Sequence, residues 1–344
     1  MKLLILTQKI DKDDSLLGFF HSWVEEFAKH AESITIIALG VGEHRLPANV
    51  RVFSLGKEKG KSRLHYLMNF FRIILRERHN YERVFVHMNE EYVLLGGLIW
   101  LALGKDVSLW RNHPKGTWKT RIAVLLSDHV YATSQYSFVK RMYPNKVVLM
   151  PVGIDTTRFA PPERSTAIPR SILFFGRLSP VKRVALFLDA ILFLKNRGVA
   201  FTSTIVGDPH NPEDVRYRDQ LVQFIANNSL TDFVKIEKGV ANVDAPATYR
   251  KYELFVNLTD TGSFDKTILE AMSANLLVVT TNDALHGEVA DIHIAGNSSA
   301  AIADTLQKLL ELTPLQKNDY REKLRSYVGE KHSLQQLAAE LFAE

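Results

Sequence analysis

Short β-rich runs alternate with helix-patterned segments along most of the chain, and this alternation constrains the fold more than any other feature. The runs of the first half are KLLILT (2–7), SITIIAL (33–39), RVFSL (51–55), RVFVHM (83–88), DVSLW (106–110), HVYAT (129–133) and KVVLMP (146–151). Helical apolar spacing separates them, most clearly in residues 16–30 and 63–77. Near-continuous apolar strands with helical crossovers are typical of parallel sheets that are covered on both faces.

A proline-rich segment divides this alternation into two halves. PPERSTAIPRS (161–171) holds three prolines and little apolar content, as a linker would. After it, predicted strands follow at 171–176, 201–207, 233–239, 253–258, 276–281 and 292–296. We predict an α/β fold with two Rossmann-like doubly wound domains, 1–160 and 161–330, and a C-terminal helix over 331–344 that packs back on the first domain. Ligands of such sheets bind beyond the carboxyl ends of the strands, and with two domains the cleft between them is favoured.

Length and residue types agree with this organisation. At 344 residues the chain is too long for one ordinary core. It contains no cysteine, which excludes a disulfide framework, thiolate metal sites and cysteine nucleophiles. The apolar residues 2–7 are followed almost at once by KIDKDDS, so they do not resemble a signal peptide. We expect a cytoplasmic protein, at the inner face of the membrane if it contacts one.

The chain is basic, and part of its charge is clustered. The net charge is +5, and the densest basic stretches are KEKGKSRLH (57–65) and FRIILRERH (71–79). A solvated protein surface and a contact with an anionic membrane or polyanion both fit these stretches. No nucleic-acid-binding fingerprint accompanies them, so we predict no nucleic-acid partner. The apolar run 92–104 is too short to span a bilayer and predicts a buried helix, although it also permits peripheral membrane contact.

Two cations follow the first strand of the second half. The strand SILFFG ends at Gly176 and continues into RLSPVKR, which places Arg177 and Lys182 across a short turn from each other before a predicted helix near Val184. Cations at the carboxyl end of a strand, beside a helix N-terminus, suit a diphosphate. A basic loop that only caps its helix is an equally good interpretation of this stretch alone.

A second candidate stretch follows the strand ELFVNL. TDTGSFDK (259–266) supplies small residues and backbone N–H groups at a helix start, where the macrodipole favours phosphate. From Thr267 the helix would place Glu270 one turn in, where a carboxylate can accept hydrogen bonds from ribose hydroxyls. Taken alone, the more ordinary interpretations are an exposed helical glutamate for Glu270 and a surface lysine for Lys266.

Together, GRLSPVKR (176–183) and TGSFDKTILEAM (261–272) resemble the signature of the retaining glycosyltransferase family 4. Residues 130–159 resemble the segment that leads into the family's Asn-Gly-Ile-Asp turn, and 202–209 resemble its next strand and turn. The family has the two-domain GT-B architecture. The resemblance therefore implies transfer of a sugar from a nucleotide-diphosphate sugar, with retention of configuration, and without a metal or other cofactor.

The resemblance also implies roles for individual residues. Arg177 and Lys182 match the family's cations that bind the donor diphosphate and stabilise the leaving group. Glu270 matches the glutamate that contacts the nucleotide ribose. His113, in WRNHP after the strand DVSLW, matches a histidine that faces the donor sugar, and Gly18 lies where the family has a glycine-rich turn against the nucleotide sugar.

The motif departs from the family pattern at the donor sugar. Gly262 stands where the family has its first glutamate, and Ser263 and Asp265 replace the glycines that flank Phe264. Asp265 has two interpretations, a contact with a sugar hydroxyl or a charge that stabilises the helix N-terminus. The departure at Gly262 makes sugar specificity and turnover open questions.

Three functions from different classes stay open at this point. The first is a retaining glycosyltransferase acting on a glycan or lipid-linked acceptor. The second is a nucleotide-sugar-binding pseudoenzyme or scaffold, which Gly262 makes credible. The third, a sugar-nucleotide epimerase of similar fold, fits the paired motifs less well. The base and sugar of the donor, the acceptor and the oligomeric state have no clear signal in the sequence.

Overall fold

The computed structural model describes residues 1–14, 16–163, 166–259, 265–282, 285, 288–289, 293–294 and 296–343. The chain divides into two compact units. Unit 1 consists of Met1–Gly153 together with Leu334–Glu344, and unit 2 of Ile154–Ser333. The last helix therefore belongs to unit 1, and the chain leaves unit 1 once and returns to it at its end.

Unit 1 contains a seven-stranded, wholly parallel sheet in the order β3-β2-β1-β4-β5-β6-β7. Its strands are β1 (Lys2–Ile10), β2 (Ser33–Val41), β3 (Val50–Ser54), β4 (Arg83–His87), β5 (Asp106–Trp110), β6 (His129–Ala132) and β7 (Val147–Leu149). Each corresponds to a run predicted from the sequence. The order reverses between β1 and β4, so the carboxyl ends of these two strands flank a topological switch point, where doubly wound sheets bind ligands.

The helices of unit 1 cover both faces of its sheet. They are α1 (Phe19–His30), α2 (Arg63–Arg76), α3 (Glu91–Ala102), α4 (Trp118–Leu125), α5 (Phe138–Met142) and, from the end of the chain, α12 (Leu334–Ala343). Side chains of α2, α3, α4 and α5 share one apolar core, which includes Phe70, Trp100 and Val124. Side chains of α1 and α12 share the core on the other face.

Unit 2 contains a six-stranded parallel sheet in the order β10-β9-β8-β11-β12-β13. Its strands are β8 (Ile168–Phe175), β9 (Thr202–Val206), β10 (Val234–Glu237), β11 (Tyr252–Asn257), β12 (Leu277–Thr280) and β13 (His293–Ile294). The switch point of this sheet lies between β8 and β11. The prediction of two doubly wound parallel sheets is thus confirmed.

The helices of unit 2 are α6 (Val184–Asn196), α7 (Pro212–Asn227), α8 (Ala245–Tyr249), α9 (Lys266–Ser273), α10 (Ser299–Glu311) and α11 (Pro314–Lys331). α6 packs against α10, and α9 against α11. A short 3-10 helical turn, Pro180–Lys182, precedes α6. Two elements that follow β8 and β11, this turn and α9, therefore begin at the carboxyl edge of the sheet.

The sequence predictions were wrong in two places. The predicted linker 161–171 overlaps β8, which begins at Ile168 and tolerates Pro169 because its register against β11 is irregular there. The predicted buried helix 92–104 is α3, and its Leu95, Leu98 and Leu101 are exposed. α3 is apolar on all sides, so periodicity could not distinguish its covered face from its open face.

Candidate functional site

The second unit brings its predicted site residues to the switch point of its sheet. β8 ends at Phe175 and is followed by Gly176, while the neighbouring β11 ends at Asn257 and leads toward α9. Asn257 is buried, which is unusual for an amide at the end of an apolar strand unless its polar atoms are bonded. Both predicted stretches of unit 2 therefore start from adjacent strand ends.

Gly176 shapes the turn that carries the two cations. Its φ of +147° is one that residues with a Cβ seldom adopt, and a Cβ placed there would lie 3.9 Å from Lys182 Cε. Its carbonyl oxygen lies so close to Gly207, at the end of β9, that a Cβ on Gly207 would be 1.9 Å away. The two strand ends thus touch through backbone, and the turn is fixed. Arg177 Nε lies 3.3 Å from the hydroxyl oxygen of Ser179 in the same turn.

Asp265 connects this turn to α9. Its carboxylate forms a close ion pair with the Lys182 ammonium group. The same oxygen, Oδ2, accepts hydrogen bonds from Asn257 Nδ2 at 2.8 Å and from Thr259 Oγ1 at 3.0 Å. The other oxygen, Oδ1, accepts from the backbone N–H of Thr267 at 3.2 Å and from its hydroxyl at 2.9 Å. Asp265 is therefore the N-cap of α9 and the centre of a hydrogen-bond network.

The network keeps Asp265 ionised. Burial on its own would raise the pKa of Asp265, but the Lys182 charge and hydrogen bond, with the donors of Asn257 and Thr267, lower it well below its usual range. Lys182 retains partial access to solvent, with 22% of its side chain exposed. The lysine is thus held at the N-terminus of α9 by a carboxylate and can reach an anionic group that approaches from solvent.

Glu270 lies one turn into α9 and is buried. The hydroxyl of Tyr249 lies 3.1 Å from Glu270 Oε2 and donates to it. Burial raises the pKa of Glu270, and the nearby cations Lys266 and Arg158 partly offset this effect. Burial, with Arg158, lowers the pKa of Lys266 to about 8 although the carboxylates of Glu270 and Asp155 act in the opposite direction. The exposed-glutamate interpretation of Glu270 is therefore wrong.

Two further candidates, Gly18 and His113, belong to unit 1. Gly18 is the residue before α1, with right-handed helical φ and ψ of −56° and −29°, so its conformation does not require glycine. His113 is exposed in the loop after β5, and its Nδ1 lies 3.0 Å from the backbone nitrogen and 2.8 Å from the carbonyl oxygen of Lys115. These contacts with Lys115 orient the imidazole ring.

Three of the predicted donor-binding residues, Gly262, Ser263 and Phe264, lie outside the described residues. Asn257 and Tyr249, which form hydrogen bonds with Asp265 and Glu270, were not predicted from the sequence. Asn257 could have been noticed as the one amide that closes the apolar run ELFVNL. Tyr249 could not, because nothing in its local sequence indicates that its hydroxyl meets a carboxylate twenty-one residues later.

Among the described residues, no cluster of metal ligands accompanies the cations Arg177 and Lys182. Within the described part of the chain, no three His, Cys, Asp or Glu side chains come together in a way that could hold a metal ion. The charged groups at the switch point of unit 2 are therefore side-chain cations and carboxylates acting on one another. Chemically, this arrangement is suited to binding an anion at a helix N-terminus.

Comparison with known protein families gives a match to the second unit. Residues 169–312 match the family model for glycosyl transferases group 1. The chain is 28% identical over 192 residues to the lipopolysaccharide core biosynthesis mannosyltransferase LpcC of Rhizobium leguminosarum bv. viciae, covering 54% of this chain and 52% of that protein. It is 26% identical over 168 residues to a GDP-mannose:cellobiosyl-diphosphopolyprenol alpha-mannosyltransferase of Xanthomonas oryzae pv. oryzae, covering 47% and 42%. The chain thus spans about half, or less, of the length of these relatives.

Solved structures resemble the chain over its full length. The structure of Anabaena HepE in complex with UDP and glucose aligns with 100% of both chains, with a TM-score of 0.77 and 18% identity. The sucrose-phosphate synthase of Thermosynechococcus elongatus aligns with 99% of this chain and 97% of its own, with a TM-score of 0.76 and 12% identity. The fold is that of GT-B glycosyltransferases, and the match to the glycosyl transferases group 1 model is confined to residues 169–312.

Proposed function

We propose that this chain transfers a sugar from a nucleotide-diphosphate sugar to an acceptor, with retention of configuration and without a metal ion. The observation that carries the proposal is the placement of Lys182 at the N-terminus of α9, held there by Asp265, inside the region that matches the glycosyl transferases group 1 model. A lysine, an arginine and a helix N-terminus at one switch point form a site for a diphosphate.

Departure of the nucleoside diphosphate is the step that this site would assist. Negative charge develops on the leaving phosphate as the bond to the sugar breaks, and preorganised cations stabilise that charge. Arg177 and Lys182 supply them from the turn after β8, while the macrodipole of α9 adds a partial positive charge. Asp265 keeps Lys182 in place before the donor arrives. In a retaining same-face displacement the leaving phosphate can help to deprotonate the acceptor, so no dedicated protein base is required.

The remaining donor contacts are proposed from the position of α9 and from the resemblance. Glu270, one turn beyond the phosphate-binding end, would accept hydrogen bonds from the ribose hydroxyls. We also propose the donor contacts that the resemblance implies for His113, for the Gly18 backbone and for residues 262–264, which precede α9 in the sequence. HepE was solved with UDP and with UDP-glucose, and the Xanthomonas relative is named for GDP-mannose, so we propose a UDP- or GDP-sugar as donor.

We place the acceptor in unit 1. A cavity of about 520 Å³ lies there, and its lining includes Gln8, near the carboxyl end of β1, and Asn89, which follows β4, at the switch point of that sheet. Leu67, Phe70 and Tyr92 contribute apolar and aromatic side chains to the same lining. A cavity whose lining is partly polar and partly apolar suits an amphiphilic acceptor such as a lipid-linked glycan, the acceptor class named for the Xanthomonas relative.

Nucleotide binding is the first test. Thermal unfolding is measured with UDP-, GDP- and ADP-sugars and with their free diphosphates, on the wild type and on Arg177→Ala, Lys182→Met and Glu270→Ala. One nucleotide class should raise the melting temperature, and the three variants should lose this shift. Arg216→Ala, an exposed arginine on α7, is the matched control and should keep it. The absence of a shift with every nucleotide would contradict the proposal.

A second candidate function is favoured by one observation, the glycine at position 262. A chain that binds nucleotide sugars without turnover would be a pseudoenzyme or scaffold. Release of free nucleoside diphosphate from the best donor, in the presence of lipid-linked or soluble glycan acceptors, separates the two functions. Binding without release, over a panel of acceptors, would favour the scaffold, and an isomerised free nucleotide sugar would indicate an epimerase.

A further inference from the structure

Three neighbouring helices of unit 1 expose large apolar side chains toward solvent. The helices α2, α3 and α4 lie in one layer, since each contributes to the same apolar core beneath it. Their outward residues are Leu64, Met68 and Leu75 on α2, Leu95, Leu98 and Leu101 on α3, and Trp118, Ile122 and Leu125 on α4. Between 39% and 71% of each of these residues is exposed. We call these nine residues the α2–α4 face.

The spacing shows that the α2–α4 face is built into each helix. Neighbours on a helix surface are three or four residues apart, and such intervals separate Leu95, Leu98 and Leu101, as they do the three residues of α4. The opposite side of each helix is also apolar and is already buried in the core. An outer layer helix normally turns polar residues to water. Grouped apolar exposure of this kind marks a surface that contacts something other than water.

Cations accompany the apolar residues of this face. Residues 59–81, which contain α2, hold six lysines and arginines and one acid, Glu77. Glu77 is buried, and its Oε2 lies 3.0 Å from Arg51. Residues 111–127, which contain α4, hold four lysines and arginines and no acid. On α4 itself, Lys119 and Arg121 are exposed between Trp118 and Ile122. The exposed acid Glu91 begins α3.

We propose that the α2–α4 face docks on the surface of an anionic lipid bilayer. The argument is charge complementarity combined with apolar exposure, because interfacial helices place Leu and Trp among the acyl chains while Lys and Arg reach the head groups. A protein interface of comparable apolar content would be depleted of lysine at its core, whereas here Lys119 lies beside Trp118.

Docking would be parallel to the membrane plane. Over the part of the chain that the structure describes, no helix is long and apolar enough to cross a membrane. The leucines of α3 would enter only to the boundary between head groups and acyl chains, about 5–10 Å deep. The proposal does not depend on sugar transfer, since vesicle binding is measured without donor or acceptor.

Vesicle sedimentation tests the proposal directly. The full chain is mixed with vesicles of phosphatidylcholine alone, or of equal parts phosphatidylcholine and phosphatidylglycerol. It should sediment with the anionic vesicles and much less with the neutral ones. High salt should weaken the binding, because it screens the cations. A wild-type chain that stays in the supernatant with both vesicles would overturn the proposal.

Matched variants locate the contact. Lys119→Gln with Arg121→Gln should weaken binding by about fivefold for each cation removed. Arg216→Gln with Arg325→Gln removes the same charge from exposed helix positions in unit 2 and should leave binding unchanged. Leu98→Glu with Leu125→Glu should weaken binding more strongly, whereas Leu315→Glu, at a residue that is 82% exposed, should not. Equal binding by the paired variants would overturn the proposal.

Sedimentation velocity without lipid examines the other occupant of an apolar face, a second copy of the chain. The proposal expects the same sedimentation coefficient for the wild type and for Leu98→Glu with Leu125→Glu. A wild-type dimer that this double variant dissociates would assign the face to self-association and overturn membrane docking. Unchanged near-ultraviolet circular dichroism of the variants establishes that they are folded.

Discussion

Asp265 illustrates what a motif position does and does not determine. The sequence offered two interpretations, a contact with a sugar hydroxyl and a charge at a helix start. Both of its carboxylate oxygens accept hydrogen bonds from protein donors, and it caps α9 while pairing with Lys182. The capping interpretation is confirmed. Its link to Lys182 could not be predicted, because the two residues are 83 positions apart and meet only when β8 and β11 pair.

Asp265→Asn should destabilise the chain by about 1–3 kcal/mol at neutral pH, because the asparagine keeps a capping oxygen but leaves Lys182 without its counter-charge. The folded pKa of Asp265 lies below the ordinary carboxyl value near 4. Its stabilising charge is therefore complete above that value and is lost as the pH falls toward the folded pKa. Urea unfolding at pH 7 and at lower pH should show the difference between wild type and variant shrinking in acid.

A double-mutant cycle with Lys182→Met isolates the ion pair. The two substitutions remove the same interaction, so their combined cost should be smaller than the sum of the single costs. Additive costs would show that Asp265 stabilises α9 alone, without coupling to Lys182.

Glu270→Gln should separate ribose binding from folding. The glutamine oxygen can still accept from Tyr249, so the unfolding midpoint should stay close to that of the wild type. If Glu270 binds the ribose, the wild type should bind the best nucleotide about tenfold or more tightly than its 2′,3′-dideoxy form, since hydrogen bonds to a charged group are worth about 1.5–3 kcal/mol. Titration calorimetry should find this preference much reduced in the variant. An undiminished preference would assign the ribose to another residue.

At the level of elements, the strands were predictable and the exposure of helix faces was not. Parallel strands buried on both faces are nearly continuous apolar runs, so a run such as SITIIAL (33–39) indicates β2 without ambiguity. The start of β8 was missed because Pro169 suggested a linker, and only the irregular pairing with β11 makes room for it. Which side of α3 is exposed depends on the elements that pack against it. The sequence of this one helix does not contain that information.

Substitution of Gly153 tests how tightly α12 packs in unit 1. Its φ is +75°, and a Cβ there would lie 2.5 Å from Leu337 of α12 and 2.8 Å from Trp23 of α1. Gly153→Ala should therefore cost about 1–2 kcal/mol for the backbone and about 1–3 kcal/mol more for overpacking. Thermal unfolding measures the total.

Gly198→Ala is the matched control for this substitution. Gly198 has a similar φ of +71°, and a Cβ there would meet open space. Only the backbone cost should appear, about 1–2 kcal/mol. An equal loss of stability in the two variants would show that α12 shifts to accommodate the added methyl group at Gly153 without a further cost in free energy.

For the whole molecule, the sequence was most informative about unit 2. The two motifs that carry the resemblance and the family match at 169–312 all lie there. The sheet of unit 1 was predicted from the alternation of strands and helices, while its two site candidates, Gly18 and His113, came from the resemblance. The cavity proposed for the acceptor and the α2–α4 face both depend on the packing of helices in unit 1. The basic stretches and the run 92–104 left membrane contact open, but the sequence could not show which side chains form a surface, because no local motif encodes it.

Unit 1 is assembled from two distant parts of the chain, so deletion of the C-terminal part should destabilise unit 1 and not unit 2. Leu334, Leu337 and Leu341 of α12 are buried in the same core as α1. Removing residues 334–344 exposes the surface beneath them, at a cost on the order of 5 kcal/mol given about 1.5–3 kcal/mol for each buried leucine. This loss should fall on unit 1 and spare unit 2, whose residues 154–333 are contiguous.

Tryptophan fluorescence can follow unit 1 alone. The chain has four tryptophans, at positions 23, 100, 110 and 118, and all belong to unit 1. In the deletion variant the fluorescence melt should move to lower temperature, while circular dichroism, which reports both units, should retain a transition near that of the wild type. Leu337→Ala should move the fluorescence melt in the same direction, and Leu315→Ala, at an exposed position in unit 2, should not. A single transition that shifts equally in both signals would mean that the two units unfold as one cooperative body, despite the separate cores from which each is built.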